Sequence, residues 1–227
     1  MSSRDERLVR IPAGGAAMEG NLRIPKAPSG LVVFAHGSGS SRFSPRNRFV
    51  AGVLEEAGLA TLLIDLLTPQ EEAVDELTRH LRFDIRLLAE RLVAASEWAR
   101  QYPDTRHLPF GYFGASTGAG AALVAAAERP DLVKAIVSRG GRPDLAGPAL
   151  PLVTAPTLLI VGGRDDVVIE LNQRAFDRLR CEKRLEIVPG ATHLFEEPGT
   201  LEQVAWLARD WFVRYLAKAG ENRANVA

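Results

Sequence analysis

The stretch Gly111-Tyr112-Phe113-Gly114-Ala115-Ser116-Thr117-Gly118-Ala119-Gly120 constrains this chain more than any other. Its centre, Gly114 to Gly118, reads G-x-S-x-G. Pro109 to Phe113 is short and aromatic, as a buried strand is. Ala121 to Ala127 is rich in Ala and Leu until Arg129-Pro130 stops it. Strand, tight turn and helix in succession force the serine into a strained backbone geometry that lifts its hydroxyl clear of the sheet, and the glycines let strand and helix approach closely. The positive end of the helix then points at the serine, where negative charge develops in acyl transfer. The plainer reading is a small-residue turn that only packs a helix on a strand. It loses weight once an Asp and a His follow downstream in the matching order.

The rest of the chain supplies a scaffold for that element. Leu8 to Ile11 and Gly20 to Ile24 read as two short strands joined by Gly14-Gly15, an edge hairpin within residues 1–24. Leu31 to Ala35 and Ala60 to Ile64, the latter closed by Asp65, are continuous apolar runs, as expected of strands buried on both faces. Asn47 to Ala57 has a helical period ended by Gly58. Thr68-Pro69-Gln70-Glu71 is a capping box with Pro at the first helical position, opening a helix to about Leu81. A longer helix spans Asp84 to Tyr102. Further strands are predicted at Val133 to Val137, Thr157 to Val161 and Leu185 to Val188, and a helix at Ile169 to Leu179. A second capping box at Thr200 opens a final helix with Val204, Ala205, Ala208, Trp211, Phe212 and Tyr215 on its buried face, and residues 221–227 are a polar tail. Strands alternating with helices give an α/β fold, a mostly parallel sheet covered on both faces. The proline-rich interval from Val137 to Thr157 is too short for an inserted cap, so residues 1–227 read as one domain.

A serine hydroxyl is a weak nucleophile until a base takes its proton, and the base needs a third group to hold its tautomer. His193, in the loop Pro189 to Phe195, is the candidate base, and Asp165, in Gly162-Gly163-Arg164-Asp165-Asp166, is the candidate acid. A loop histidine is often only solvated, and a Gly-x-x-Asp after a strand is often a turn or cap. Here both fall past the C-terminal ends of strands, where open α/β sheets place their ligands, and in the order Ser, Asp, His. Asp166 lies nearer the following helix and reads as a turn residue. An oxyanion hole needs two backbone N–H groups aimed at one point. Thr117 supplies one, and Ser38, in His36-Gly37-Ser38 after the first buried strand, supplies the other. His80 and His107 read as solvated, and Cys181 as a bystander.

With these residues in place the chain resembles the α/β-hydrolase superfamily across nearly its whole length. Its cap-free layout is similar to the dienelactone hydrolase-like branch. That resemblance implies acyl-transfer chemistry at Ser116, Asp165 and His193, with Ser38 and Thr117 for the oxyanion. True dienelactone hydrolases use a cysteine nucleophile, and here the position is Ser116. The expected activity is hydrolysis of a carboxylic ester through an acyl-enzyme, without a cofactor. Amide, thioester or lactone hydrolysis by the same groups is the alternative, and a non-catalytic ligand-binding protein of the same fold is a further one.

Arg42, Arg46, Arg139 and Arg142 fall on loops beside the triad, so an anionic group on the substrate is one expectation. The competing reading pairs them with Asp144, Glu196 or Glu197 as ordinary surface ion pairs. Leu66 to Arg82 is a candidate roof over the same mouth. The 28 basic and 28 acidic residues cancel, so nothing global argues for nucleic acid or an anionic membrane. One cysteine, a polar segment over residues 1–10 and no apolar run of spanning length lead to the expectation of a cytoplasmic protein.

Overall fold

Strands with apolar side chains on both faces are stable only where helices cover both sides of the sheet. The computed structural model describes residues 6–224, with side chains up to residue 217, and it uses the strands in that way. The strands are β1 (Arg7–Ala13), β2 (Ala16–Arg23), β3 (Leu31–Ala35), β4 (Ala60–Ile64), β5 (Phe110–Ala115), β6 (Val133–Arg139), β7 (Thr157–Gly162) and β8 (Lys183–Val188). They lie in the order β1-β2-β4-β3-β5-β6-β7-β8. β1 and β2 form the expected edge hairpin, β2 runs antiparallel to β4, and every later pairing is parallel.

Among the described residues there are six α-helices: α1 (Pro45–Glu56), α2 (Pro69–Thr78), α3 (Ile85–Gln101), α4 (Thr117–Glu128), α5 (Asp166–Arg178) and α6 (Thr200–Ala224). Successive residues of a strand face opposite sides, and β3 divides accordingly. Leu31, Val33 and Ala35 pack with α3, α4 and α5, while Val32 and Phe34 pack with α1 and α6. Phe34 and Phe113 meet on the second side with ring centroids 4.8 Å apart. Burying each such ring contributes roughly 1.5–3 kcal/mol. The α6 residues named from the sequence are buried, except Tyr215, which is half-buried beside Glu182.

Several boundaries differ from the sequence reading, among them α5, which opens at Asp166 rather than Ile169, and β2, which opens at Ala16 rather than Gly20. Helix α1 starts at Pro45, because Ser44 caps it by accepting from the Asn47 N–H (3.3 Å). Helix α4 starts at Thr117, directly after the serine, and not at Ala121. Helix α2 stops at Thr78, where Arg79 turns left-handed (φ 56°) and the buried Asp75 carboxylate takes both the Arg82 backbone N–H and its guanidinium. The interval after β6 holds a 3₁₀ segment, Pro143–Leu152, packed on α4 and α5. The backbone of α6 runs on to Ala224, so of the expected polar tail only residues 225–227 lie outside the described residues.

One close approach fixes the centre of the sheet. A Cβ at Gly118 would collide with the carbonyl oxygen of Ala35 and lie 2.6 Å from that of His36. Both obstacles are backbone, so neither can swing aside. Gly118→Ala should therefore destabilise the fold by about 3 kcal/mol or more. Urea unfolding of the two proteins measures this, and an unchanged midpoint would contradict the packing described.

Candidate functional site

Ser116 sits between the last residue of β5 and the first of α4, with φ 50° and ψ −121°. This is a left-handed conformation that costs a non-glycine residue of order 1–3 kcal/mol and is kept only where the surroundings enforce it. The enforcement is visible. Its N–H donates to the Arg139 carbonyl (3.3 Å), and its carbonyl accepts from the N–H groups of Arg142 (3.0 Å) and Ala119 (3.1 Å). Thr117 opens α4, so its N–H has no carbonyl within the helix to bond. Gly37 lies against Ser116, since a Cβ there would be 3.0 Å from Ser116 Cβ. Ser38 follows at the rim, sharing one gap with Thr117 and one cavity with Ser116.

His193 and Asp165 arrive from the ends of β8 and β7. His193 Nδ1 and Asp165 Oδ2 are 2.6 Å apart, and the aspartate is the less exposed partner. The imidazole bonds Asp165 and not Asp166, which opens α5. Asp165 occupies the N-cap position of that helix, yet its side chain makes no capping bond and is left for the histidine. The two loops can meet because residue 162 is glycine: a Cβ there would lie 2.6 Å from the carbonyl oxygens of Ala191 and Thr192. The Arg164 N–H then donates to the Ala191 carbonyl (2.9 Å), and the Thr192 N–H to Glu197 (3.0 Å). Ser116 and His193 face one cavity of about 270 Å³. A larger cavity, about 470 Å³, lies on the other side of the loop after β3 and touches neither residue. The smaller one holds both Ser116 and His193 and is therefore the candidate site, because size alone supplies no chemistry.

Comparison with known proteins identifies the family and the fold. A dienelactone hydrolase from Anabaena variabilis is 64% identical, with a TM-score of 0.92 over 93% of this chain and 98% of that one. The chain belongs to the dienelactone hydrolase family. An esterase domain from Rhodothermus marinus shares the α/β-hydrolase fold at 21% identity, with a TM-score of 0.73 over 93% of this chain and all of that one. A Mycobacterium tuberculosis protein provisionally named a phosphoribosyl transferase is 62% identical over 217 residues, or 96% of this chain and 48% of that protein. The chain thus spans about half the length of the curated relatives it matches there. No protein-family model matches the chain. Among the described residues no helix is long and apolar enough to cross a membrane.

The arginines of this dienelactone hydrolase relative divide. Arg42 was a candidate substrate contact, but it is bound to Asp65, Asn21 (2.9 Å) and Glu19 (2.6 Å) and does not line the Ser116 cavity. It ties the loop after β3 to β2 and to the end of β4. Arg142 likewise forks onto Asp144 with bonds of 2.9 and 2.8 Å, and only its backbone serves Ser116. Arg142 thus follows the ion-pair reading, Arg46 meets its named partner Glu196 at 3.6 Å, and Arg42 pairs with carboxylates that reading did not name. Arg139 and Arg46 do line the cavity. The segment 66–82 does not roof it. Leu67, Pro69 and Glu72 wall the larger cavity instead.

His36 is the site residue the sequence reading left unassigned. It is buried, its Nε2 accepts the Leu66 N–H (3.1 Å), and its Nδ1–H therefore donates to the Gly37 carbonyl (2.9 Å). Only the neutral ring can make both bonds. A histidine between a buried strand and Gly-x-Gly was the available signal. Cys181 is half-buried, with its thiol pushed up by burial, and His80 and His107 are exposed, as expected.

Burial also holds His36 below the ordinary histidine range. The unfolded chain takes up a proton there below pH about 6.5, and the folded chain resists it. The unfolded state then binds more protons, so stability falls as the pH drops through that window. His36→Asn should remove this part of the slope. Urea unfolding at pH 7.5 and 5.5 checks it, and equal pH dependence in both proteins would refute the role.

Proposed function

We propose that this family member is a serine hydrolase that cleaves a carboxylic ester through an acyl-enzyme on Ser116. The observation that carries the reading is the bond between His193 Nδ1 and Asp165 at 2.6 Å, in a cavity whose wall includes the strained Ser116. That bond holds the proton on Nδ1 and leaves Nε2 as a base. In the proposed reaction Ser116 Oγ attacks the ester carbonyl carbon while His193 Nε2 takes the hydroxyl proton. The oxyanion accepts hydrogen bonds from the Thr117 and Ser38 N–H groups, and the positive end of α4 favours it further. Collapse expels the alcohol, which receives the proton from His193. A water molecule repeats the sequence on the acyl group and restores Ser116.

The similarity to a dienelactone hydrolase favours a cyclic ester as a second substrate form, handled by the same steps with the alcohol still tethered to the acyl group. We take the transferase name of the mycobacterial relative to describe the half of that protein which this chain does not span. The 217 matched residues are nearly all of this chain, the serine turn and the His–Asp pair included.

Incubation with a fluorophosphonate should place one adduct on Ser116 by peptide mapping, and Ser116→Ala should lose roughly six orders of magnitude in turnover. Absence of labelling would leave a ligand-binding protein of this fold. Asp165→Asn should cost about 10⁴ in kcat because the tautomer is lost, and Asp166→Asn no more than about tenfold. Side-by-side kcat values decide, and the reverse order would overturn the assignment of the acid.

A further inference from the structure

Arg139 is the last residue of β6 and pairs in register with Ala115, one residue before the serine. Its side chain lines the Ser116 cavity and yet is only 7% exposed. A buried guanidinium normally faces a carboxylate, because an uncompensated buried charge is costly. Among the described residues no ion pair includes Arg139. One terminal nitrogen donates to Asn47 Oδ1 at 3.3 Å, and Nε has no partner at all. A second guanidinium stands in the same wall. Arg46 also lines the cavity, its Nε is buried without a partner, and its one ion pair, to the exposed Glu196, is loose at 3.6 Å. Burial first and the Arg46 charge second pull Arg139 down to about 10. It therefore remains a cation at neutral pH, and the two positive charges repel each other.

A buried guanidinium with a half-buried like charge beside it, and donors left over on both, weakens the fold and is expected where a ligand resolves it. Asn47 adds an amide, and Ser40 and Ser44 add hydroxyls, to the same wall. The set is rich in donors, and among the described residues no carboxylate lines the cavity. Planar guanidinium forks suit phosphate and carboxylate oxygens.

We propose that Arg139 and Arg46 form an anion subsite of the Ser116 cavity, which selects ester substrates carrying a second, oxyanionic group, a phosphate in preference to a carboxylate. A phosphate monoester carries close to two negative charges at pH 7 and so offsets both guanidiniums, whereas a carboxylate offsets one. The subsite rests on the esterase reading only for its substrate class. Occupancy by an anion does not require turnover.

The first test compares three esters of one alcohol whose acyl chains end in a methyl, a carboxylate or a phosphate. The ratio of kcat/KM for each charged ester to that of the neutral one is taken within each protein, so that a general loss of activity cancels. The wild type should favour the phosphate ester over the neutral one by at least about tenfold. Arg139→Gln should lower that ratio by about 10- to 100-fold, Arg139→Lys should restore part of it, and Arg46→Gln should lower it less. Equal ratios in the wild type and Arg139→Gln would overturn the subsite. A carboxylate ester preferred to the phosphate ester would overturn the phosphate assignment and keep the subsite.

The second test is calorimetric titration with inorganic phosphate. Binding should persist in Ser116→Ala and be lost in Arg139→Gln, with circular dichroism confirming that the latter is folded. Phosphate binding that survives in folded Arg139→Gln would overturn the proposal even where the esterase reading stands. Binding lost only in that variant would support the subsite even where Ser116 is not the nucleophile.

Discussion

The contact between the backbone of α4 at Gly118 and the backbone at the end of β3 is the constraint on which the rest depends. It brings the first turn of a helix to within van der Waals distance of a neighbouring strand, with no side chain between them. Ser116 has no freedom left in that space. Its left-handed φ is set by α4 on one side and by the Arg139 carbonyl and Arg142 N–H on the other. The same approach carries Gly37 onto Ser116 and so delivers the loop after β3 to the rim of the cavity. Strain at the serine is offset by the packing of three neighbouring elements. The sheet's large apolar faces supply the stability that makes such strain tolerable.

The centre of this arrangement was legible in the sequence because it follows from local rules. G-x-S-x-G between an apolar strand and an alanine-rich run fixes the turn, and apolar runs without alternation fix strands buried on both sides. Asp165 could be preferred to Asp166 because neighbouring residues of a turn point apart. What could not be read was the partnering of long side chains. Arg42, Arg139 and Arg142 look alike in the sequence, each near a strand end. Their roles separate only because Asp65 and Glu19 come from β4 and β2 to meet Arg42, Asp144 meets Arg142, and no carboxylate meets Arg139. The Arg42 pairing is settled by sheet order, which local patterns do not encode, whereas Asp144 lies two residues from Arg142 and was within reach of the sequence. The early end of α2 is a local effect, since Asp75 bonds a residue that has already left the helix.

The histidines illustrate how burial assigns function within one residue type. His80 and His107 are exposed, and water dominates their surroundings. His193 is part-exposed, bonded to a carboxylate through Nδ1, and lines the Ser116 cavity. His36 is buried with both nitrogens committed to backbone groups, and burial opposes its charging. The first pair can be replaced at little cost. In the proposed reaction the third acts as the base, and the last serves geometry because it stays neutral.

That geometry suits the loop after β3 to the proposed oxyanion role, although Ser38 itself is exposed. A donor on a mobile loop must be reoriented as charge develops, and that reorganisation is part of the barrier. A donor fixed beforehand avoids it. The loop from His36 to Arg42 is pinned at both ends. At the first end His36 joins the Gly37 carbonyl to the Leu66 N–H, and at the second Arg42 reaches Asp65, Asn21 and Glu19 through its side chain and Asp65 again through its backbone N–H (2.7 Å). Both ends anchor on the end of β4 and the residues just beyond it, so the loop moves only if the sheet edge moves with it. Arg42, read from sequence as a contact for the substrate, thus acts one step back from the cavity, as part of what holds the Ser38 N–H still.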